Sequence, residues 1–374
     1  MKITAAVLNS VGQPRPYAES NPLAIEELDL DPPAEGEVLV RVKAAGLCHS
    51  DLSVINGNRP RPTPMVLGHE AAGEVVEVGT GVRDLKPGDH VVMVFVPSCG
   101  HCPPCGEGRP ALCEPAATSN TAGTLLGGGR RLQRHGHDVN HHLGVSAFAD
   151  HAILSRRSLV KVDSSLPFAE AALFGCAVLT GVGAVINTAR VQAGSTVAVV
   201  GLGGVGLNSL LGATLAGARQ IIAVDVHDVK LGLARRLGAT DTVNAAEPDA
   251  VGQVKELTGG GVDFAFEMAG SVRALDLAYR LTRRGGATVT AGLPPPGEVW
   301  PVPAADLVAE ERMVKGSYVG SSIPVRDVPR YIELYQRGKL PVDKLMGDKL
   351  QLSEINPAFD RLASGMTSRQ VVVF

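Results

Sequence analysis

The sequence has no excess of charge of one sign: 35 basic against 38 acidic side chains leave a net charge of -3 over 374 residues. That balance gives no bias toward nucleic acid or an anionic membrane. Long hydrophobic runs are also missing, since no stretch approaches the roughly 20 apolar residues needed to cross a bilayer. The opening MKITAAVLNSVGQ lacks the basic start and apolar run of a secretory signal. A cytoplasmic protein is the expectation. Internal repeats and low-complexity tracts are absent apart from Pro294, Pro295 and Pro296, which force an extended loop. Cysteine is sparse, at six residues. Four of the six cluster at metal-ligand spacing, which argues against a disulfide framework and for a reducing compartment.

What the chain does have is core-forming material, with 45% hydrophobic and 20% charged residues. Its length exceeds the size at which one core stops growing, so two domains are expected. Up to about residue 177 the sequence is rich in Val, Gly and Pro, with short extended runs at Val38–Lys43 and Gly73–Val78 between turn signals. From about residue 178, apolar strands alternate with helical patterns, which predicts βαβ units and a doubly wound parallel sheet. Strands are predicted at Thr196–Val200, Gln220–Val224, Val262–Met268 and Ala287–Leu293, with helices at Gly204–Ala216 and Asp228–Leu237.

Cys99, Cys102, Cys105 and Cys113 follow the pattern C-x2-C-x2-C-x7-C. Four thiolates around one tetrahedral centre leave no open position, so a metal here is structural. The same donors suit an iron–sulfur cluster, but the spacing favours zinc. Cys48, His69 and Cys176 are dispersed. Singly, each is a weak signal, since a lone buried cysteine is usually a small hydrophobe and a lone histidine usually a hydrogen-bonded packing residue.

A strand ending at Val200, then Gly201, Gly203 and Gly206, then a helical pattern, gives G-x-G-x-x-G in the strand–turn–helix context that dinucleotide binding requires. Gly204 and Val205 complete that turn, and the helix N-terminus faces phosphates. Asp225 ends the next strand, where a carboxylate accepts hydrogen bonds from ribose hydroxyls and repels a 2′-phosphate, which favours NAD over NADP.

Taken together, CHSD, GHE, the four-cysteine lobe, HHLGVSAFADHAI, GCAVLTG, GLGGVG and SRQVVVF resemble the zinc-dependent, liver-type alcohol dehydrogenases of the medium-chain dehydrogenase/reductase superfamily, over essentially the full length. The resemblance implies an α/β fold: a β-rich GroES-like catalytic domain at residues 1–177 and 323–374, carrying a structural-zinc lobe at 96–115, and a Rossmann coenzyme domain at 178–322. It implies an NAD-dependent alcohol dehydrogenase with two zinc ions per subunit. Cys48, His69 and Cys176 would hold the catalytic zinc, with Asp51 and Glu70 as supporting carboxylates. Lys230, His49, Thr180 and Arg369 would approach the coenzyme, and Ser50 would take the alcohol proton. Ser53 stands where many relatives carry a histidine that finishes the relay, so water is the expected last acceptor. Phe95, Asn56, Arg59 and Leu143 would line the substrate channel. Arg59 and Phe95 depart from the glutathione-dependent formaldehyde dehydrogenases, which argues against a thiol adduct as substrate. His135, His137, His141 and His142 tempt a third metal site but read as loop packing. A small-molecule alcohol or aldehyde is the expected partner. A homodimer is expected, a tetramer being the alternative, with Trp300–Val319 offering an apolar edge.

Overall fold

The computed structural model describes residues 1–365, 367 and 369–374. They divide into two compact units, one of Met1–Cys176 with Ile323–Ile332 and Met346–Phe374, the other of Ala177–Ser322 with Glu333–Leu345. No helix among the described residues is long and apolar enough to cross a membrane.

The first unit is β-rich. Lys2–Leu8, Leu23–Leu30, Leu132–Arg134, His137–His141 and Met65–Val66 close a five-stranded barrel. Its interior holds Ile3, Ala5, Val7, Leu28, Leu30 and Val139, all buried. A seven-stranded sheet runs Leu159–Val162, His90–Met93, Glu70–Val78, Glu37–Gly46, Arg369–Val373, Met346–Leu350, with His151–Ser155 also paired to Glu37–Gly46. The expected run Val38–Lys43 lies inside Glu37–Gly46, and Gly73–Val78 inside Glu70–Val78. These two strands pair antiparallel from Val38 opposite Val78 to Gly46 opposite Glu70. Two strand ends that matter for chemistry, at Gly46 and at Glu70, therefore meet.

The second unit holds a parallel sheet of six strands whose spatial order is Asp241–Asn244, Gln220–Asp225, Thr196–Val200, Val262–Glu267, Thr282–Thr290, Met313–Gly316. Counted along the chain, this is 3-2-1-4-5-6, the doubly wound order whose reversal point binds dinucleotides beyond the strands' carboxyl ends. Thr196–Val200 is buried throughout, as a strand with neighbours on both sides and helices on both faces must be. The helices Gly204–Leu215 and Asp228–Arg236 fall within a residue of their expected ends.

Two expectations need correction. The fifth strand is Thr282–Thr290, not Ala287–Leu293. Its start reads Thr-Arg-Arg-Gly-Gly, which carries no apolar signal, and it stops where the Thr290 hydroxyl donates to Glu267 at 2.7 Å, leaving Leu293 46% exposed. Of the stretch Trp300–Val319, only Met313–Gly316 forms the sheet edge. Trp300 instead packs on Tyr279, with ring centres 5.3 Å apart.

Candidate active site and metal centres

In the first unit three chain junctions carry the dispersed donors. Cys48 is the N-cap of the helix His49–Ile55, directly after the central strand. His69 precedes Glu70–Val78, and Gly68 before it holds φ +90°. A Cβ on Gly68 would lie 2.6 Å from the Phe148 amide nitrogen, so the turn that aims His69 admits only glycine. Cys176 follows the helix Phe168–Leu173. The Sγ atoms of Cys48 and Cys176 and a ring nitrogen of His69 lie within 4.8 Å of one another, and all three residues are buried.

This donor set fits a metal ion. His69 Nε2 is buried with no hydrogen-bond partner, while Nδ1 lies 3.1 Å from Asp51 Oδ1. A carboxylate behind an imidazole whose other nitrogen awaits a partner is the usual support of a histidine ligand. The electrostatics agree. The contact with Cys176 draws the Cys48 thiol well below its ordinary range despite burial, and the charge of His69 adds to this. The same contact, with burial, pushes Cys176 well up. Burial works against a charged His69, yet Asp51 and Cys48 raise it well above the usual imidazole range. Two thiols and one imidazole are a three-donor set of the kind that suits zinc.

Asp51 is fully buried. Its Oδ1 accepts from the Gly68 N–H at 3.0 Å and faces both His69 Nδ1 and His142 Nδ1 at 3.1 Å. Burial opposes its ionisation, but His69 and His142 hold it well below the usual carboxylate range. The histidine run therefore splits. His135 and His137 are exposed, whereas His141 and His142 are buried. His141 accepts the Arg131 N–H at 3.1 Å, and burial pushes it down to about 3. The role of His142 beside Asp51 was invisible in the sequence, where HHLG reads as packing.

Glu70 is buried and bonded by Arg369, whose Nη1 also donates to the Leu47 carbonyl at 3.0 Å. Burial raises Glu70 to about 7 against the pull of Arg369, and Glu70 in turn holds Arg369 cationic. Arg369, expected at the coenzyme, is thus committed to Leu47 and Glu70 and only 8% exposed. Phe95 is buried, with its ring edge-on to His69 at 5.2 Å. Leu143 is buried with φ +53°. Asn56 and Arg59 lie at and beyond the C-terminal end of His49–Ile55. His49 is exposed and Ser50 half-buried in that helix's first turn. Ser53 donates to the His49 carbonyl at 2.8 Å, so its hydroxyl is absorbed by its own helix.

Cys99, Cys102, Cys105 and Cys113 bring their sulfurs within 4.8 Å of one another. Zn–S bonds of about 2.3 Å in a tetrahedron set sulfurs about 3.8 Å apart, so the lobe fits the ion. Backbone N–H groups already point at it, from Cys102 to Cys99 Sγ at 3.3 Å and from Cys99 to Cys113 Sγ at 3.1 Å. Against burial, the amides of His101 and Cys102 bring Cys99 down to about 6, while burial takes Cys105 up to about 12.

In the second unit, Gly201 turns with φ +90°, and a Cβ on Gly206 would sit 1.8 Å from the Gly201 carbonyl oxygen. The helix beginning at Gly204, with Val205 in its first turn, thus packs as closely as backbone allows. Asp225 is 6% exposed and accepts from the Leu202 N–H at 2.7 Å and the His227 N–H at 3.0 Å. Lys230 Nζ lies 3.9 Å from it. A cavity of about 450 Å³ opens here, lined by Gly201, Asp225, Ala269, Ser271, Arg273 and Asp276. Thr180 is buried in the helix Ala177–Gly183.

Residues 34–164 match the family described as alcohol dehydrogenase GroES-like domain, and residues 204–337 the family described as zinc-binding dehydrogenase. The chain is 40% identical over 377 residues to an NDMA-dependent alcohol dehydrogenase of Amycolatopsis methanolica, covering 100% of this chain and 99% of that one. It is 36% identical over 384 residues to an S-(hydroxymethyl)glutathione dehydrogenase of Paracoccus denitrificans, with both chains fully covered. The solved benzyl alcohol dehydrogenase of Acinetobacter calcoaceticus superposes with a TM-score of 0.93 at 34% identity, covering 100% of this chain and 99% of that one.

Proposed function

Because the chain belongs to the zinc-dependent alcohol dehydrogenases of the medium-chain dehydrogenase/reductase superfamily, we propose that it is an NAD-linked enzyme that oxidises a small alcohol reversibly to an aldehyde or ketone. The carrying observation is the buried trio Cys48, His69 and Cys176, with His69 Nε2 unpartnered and Nδ1 backed by Asp51. Cys48, His69 and Cys176 would hold a zinc ion, which would supply Lewis acidity, and NAD would serve as the hydride acceptor. The chain's own residues do the rest. Asp51 orients His69 and fixes its proton on Nδ1. Phe95 and Leu143 exclude water, which strengthens every charge interaction inside. The Ser50 hydroxyl receives the alcohol proton. Since Ser53 is bonded to the His49 carbonyl, that proton passes on to water.

A second zinc at Cys99, Cys102, Cys105 and Cys113 is structural. The Asp225 carboxylate, buried where the adenosine ribose belongs, favours NAD because it repels a 2′-phosphate. Lys230 reaches the same ribose, and Gly201, Gly203, Gly204, Val205 and Gly206 the pyrophosphate. The six thiols are all free, which suits the cytoplasm. The apolar edge strand Met313–Gly316, with Met313 59% exposed, supports a homodimer. The three relatives named above carry different substrates in their names at similar identity, so kinship does not choose the alcohol. Phe95 and Arg59 speak against a glutathione adduct.

The test is NADH formation by the zinc-loaded protein with primary, secondary and aromatic alcohols, each with and without glutathione and a chelator. Chelator-sensitive turnover without thiol is expected. Turnover of formaldehyde only in the presence of thiol would overturn the substrate reading, and a preference for NADP would overturn the role given to Asp225.

A further inference from the structure

One short helix of the first unit bonds to the segments of Phe95, Arg59 and Leu143, the residues assigned to the substrate channel. This helix, Glu114–Ala122, follows Cys113, its N-cap, in the four-cysteine lobe. Asn120 in its last turn donates from Nδ2 to the Phe95 carbonyl at 3.1 Å. The Asn120 carbonyl accepts from Arg61 Nη1, two residues after Arg59, at 3.3 Å. At the C-cap, the Gly123 carbonyl accepts the N–H of His141, two residues before Leu143, at 2.9 Å. The Asn120 side chain also borders that last segment directly, since a Cβ on Gly144 would lie 3.8 Å from Oδ1. The stretch from Phe95 to Cys99 is tethered at both ends, because the Cys99 N–H donates to Cys113 Sγ at 3.1 Å.

Asn120 is 6% exposed, and its Oδ1 is buried with no hydrogen-bond partner. A bare amide oxygen detracts from stability, so an apolar side chain of similar volume would serve packing better. What the amide alone supplies is the N–H for Phe95, whose carbonyl can only accept and so fixes which way the amide points. From these contacts we infer that Asn120 is a positioning residue that holds the Phe95 wall of the channel in place and so sets how tightly the site binds its alcohol. The inference rests on the reading of Cys48, His69 and Cys176 as the open zinc site. The Phe95 ring stands edge-on to His69 at 5.2 Å, so a shift of its backbone moves the wall beside the proposed metal. With its carbonyl held, Phe95 presents a fixed surface to the carbon skeleton of the alcohol. Released, the wall gives way, while the metal donors and Ser50 keep their places.

Asn120→Leu keeps the bulk and removes the N–H, and Asn120→Asp keeps the shape and sets an oxygen against the Phe95 carbonyl, so either carries the test if the other fails to fold. Ser119→Ala is the control: Ser119 is equally buried on the same helix, but its hydroxyl donates to the Leu126 carbonyl at 3.5 Å. Metal content and steady-state kinetics at saturating NAD are measured on the full-length proteins with an alcohol that the parent oxidises. Both Asn120 variants should raise KM about tenfold, with kcat within about threefold and metal content equal to the parent's. Ser119→Ala should keep the parent's KM. A merely structural role lowers the active fraction, and with it kcat, at an unchanged KM. That result, a loss of metal in the Asn120 variants, or an equal rise of KM in Ser119→Ala overturns the inference and leaves the proposed function standing. A zinc-loaded parent that oxidises no alcohol overturns the proposed function and this inference together.

Discussion

Ser50 and Ser53 lie in the same short helix and differ in what their hydroxyls can do. Ser50 is half-buried and is the proposed acceptor of the alcohol proton, whereas Ser53 already donates to the His49 carbonyl. Replacing Ser50 with Ala should lower kcat by about 10²- to 10⁴-fold, and Ser53→Ala should leave it within about twofold, both read from NADH formation. Comparable losses in both would show that Ser53 leaves its helix and joins the relay. At this scale the four clustered cysteines, whose sulfurs the structure brings together, were legible from residue type and spacing, whereas the grouping of Cys48, His69 and Cys176 was carried by the family resemblance, since each alone reads as packing. The burial of Arg369 against Glu70 was not legible, because a guanidinium's partner depends on which strands meet, and sequence spacing carries no record of that. His142 was hidden for the same reason. It meets Asp51 across 91 positions, from a loop whose backbone bends at Leu143 and Ser146, where φ is +53° and +55°.

Strands and helices of the second unit were readable where both flanks are covered by protein. Thr196–Val200 is buried throughout, and its apolar run announces it. Met313–Gly316 is exposed throughout, so no pattern distinguishes it from a loop, and Asp241–Asn244 has one fully buried position among four. The base of this sheet is tied by Asp263. It accepts from the Thr196 N–H at 2.7 Å, the Thr196 hydroxyl at 2.8 Å and Arg283 at 2.7 Å. Burial opposes its charge, but these donors win and its carboxyl titrates below the ordinary range. A carboxylate lowered on folding stabilises above its unfolded pKa of about 3.9, and that contribution is lost as pH falls through the lower folded value. Asp263→Asn should therefore cost about 1–3 kcal/mol at neutral pH, with the gap to the parent narrowing below about pH 4. Denaturant unfolding at both pH values checks this, and a gap independent of pH would assign the cost to geometry instead.

For the molecule as a whole, the edge strand Met313–Gly316 pairs on one side only, with Thr282–Thr290. An apolar strand edge left open invites a second copy. Sedimentation should show a dimer for the parent and a monomer for Val314→Lys, since a lysine there places like charges opposite each other across a two-fold axis. A parent that sediments as a monomer at micromolar concentration would assign the exposed edge another role. The two-unit organisation was legible from the change in pattern near residue 178. The assignment of Glu333–Leu345 to the second unit was not, because Val342–Leu345 earns its place by packing on the helix Gly204–Leu215, a contact with no local signature.

The strand Arg369–Val373 sits inside the sheet of the first unit, between Glu37–Gly46 and Met346–Leu350, with Val371 opposite Gly46. On the ribosome the chain emerges from its other end, and at about 5–20 residues per second some tens of seconds separate Gly46 from its partner. Throughout that interval the strand that leads to Cys48 has an open flank and Glu70 lacks its arginine, and by its end Ala177–Ser322 has emerged with all six strands of its own sheet. The nucleotide-binding half is thus completed first and the metal-binding half last, so a translation product truncated just after Leu345 holds all of the second unit and leaves the sheet beside Cys48 unfinished.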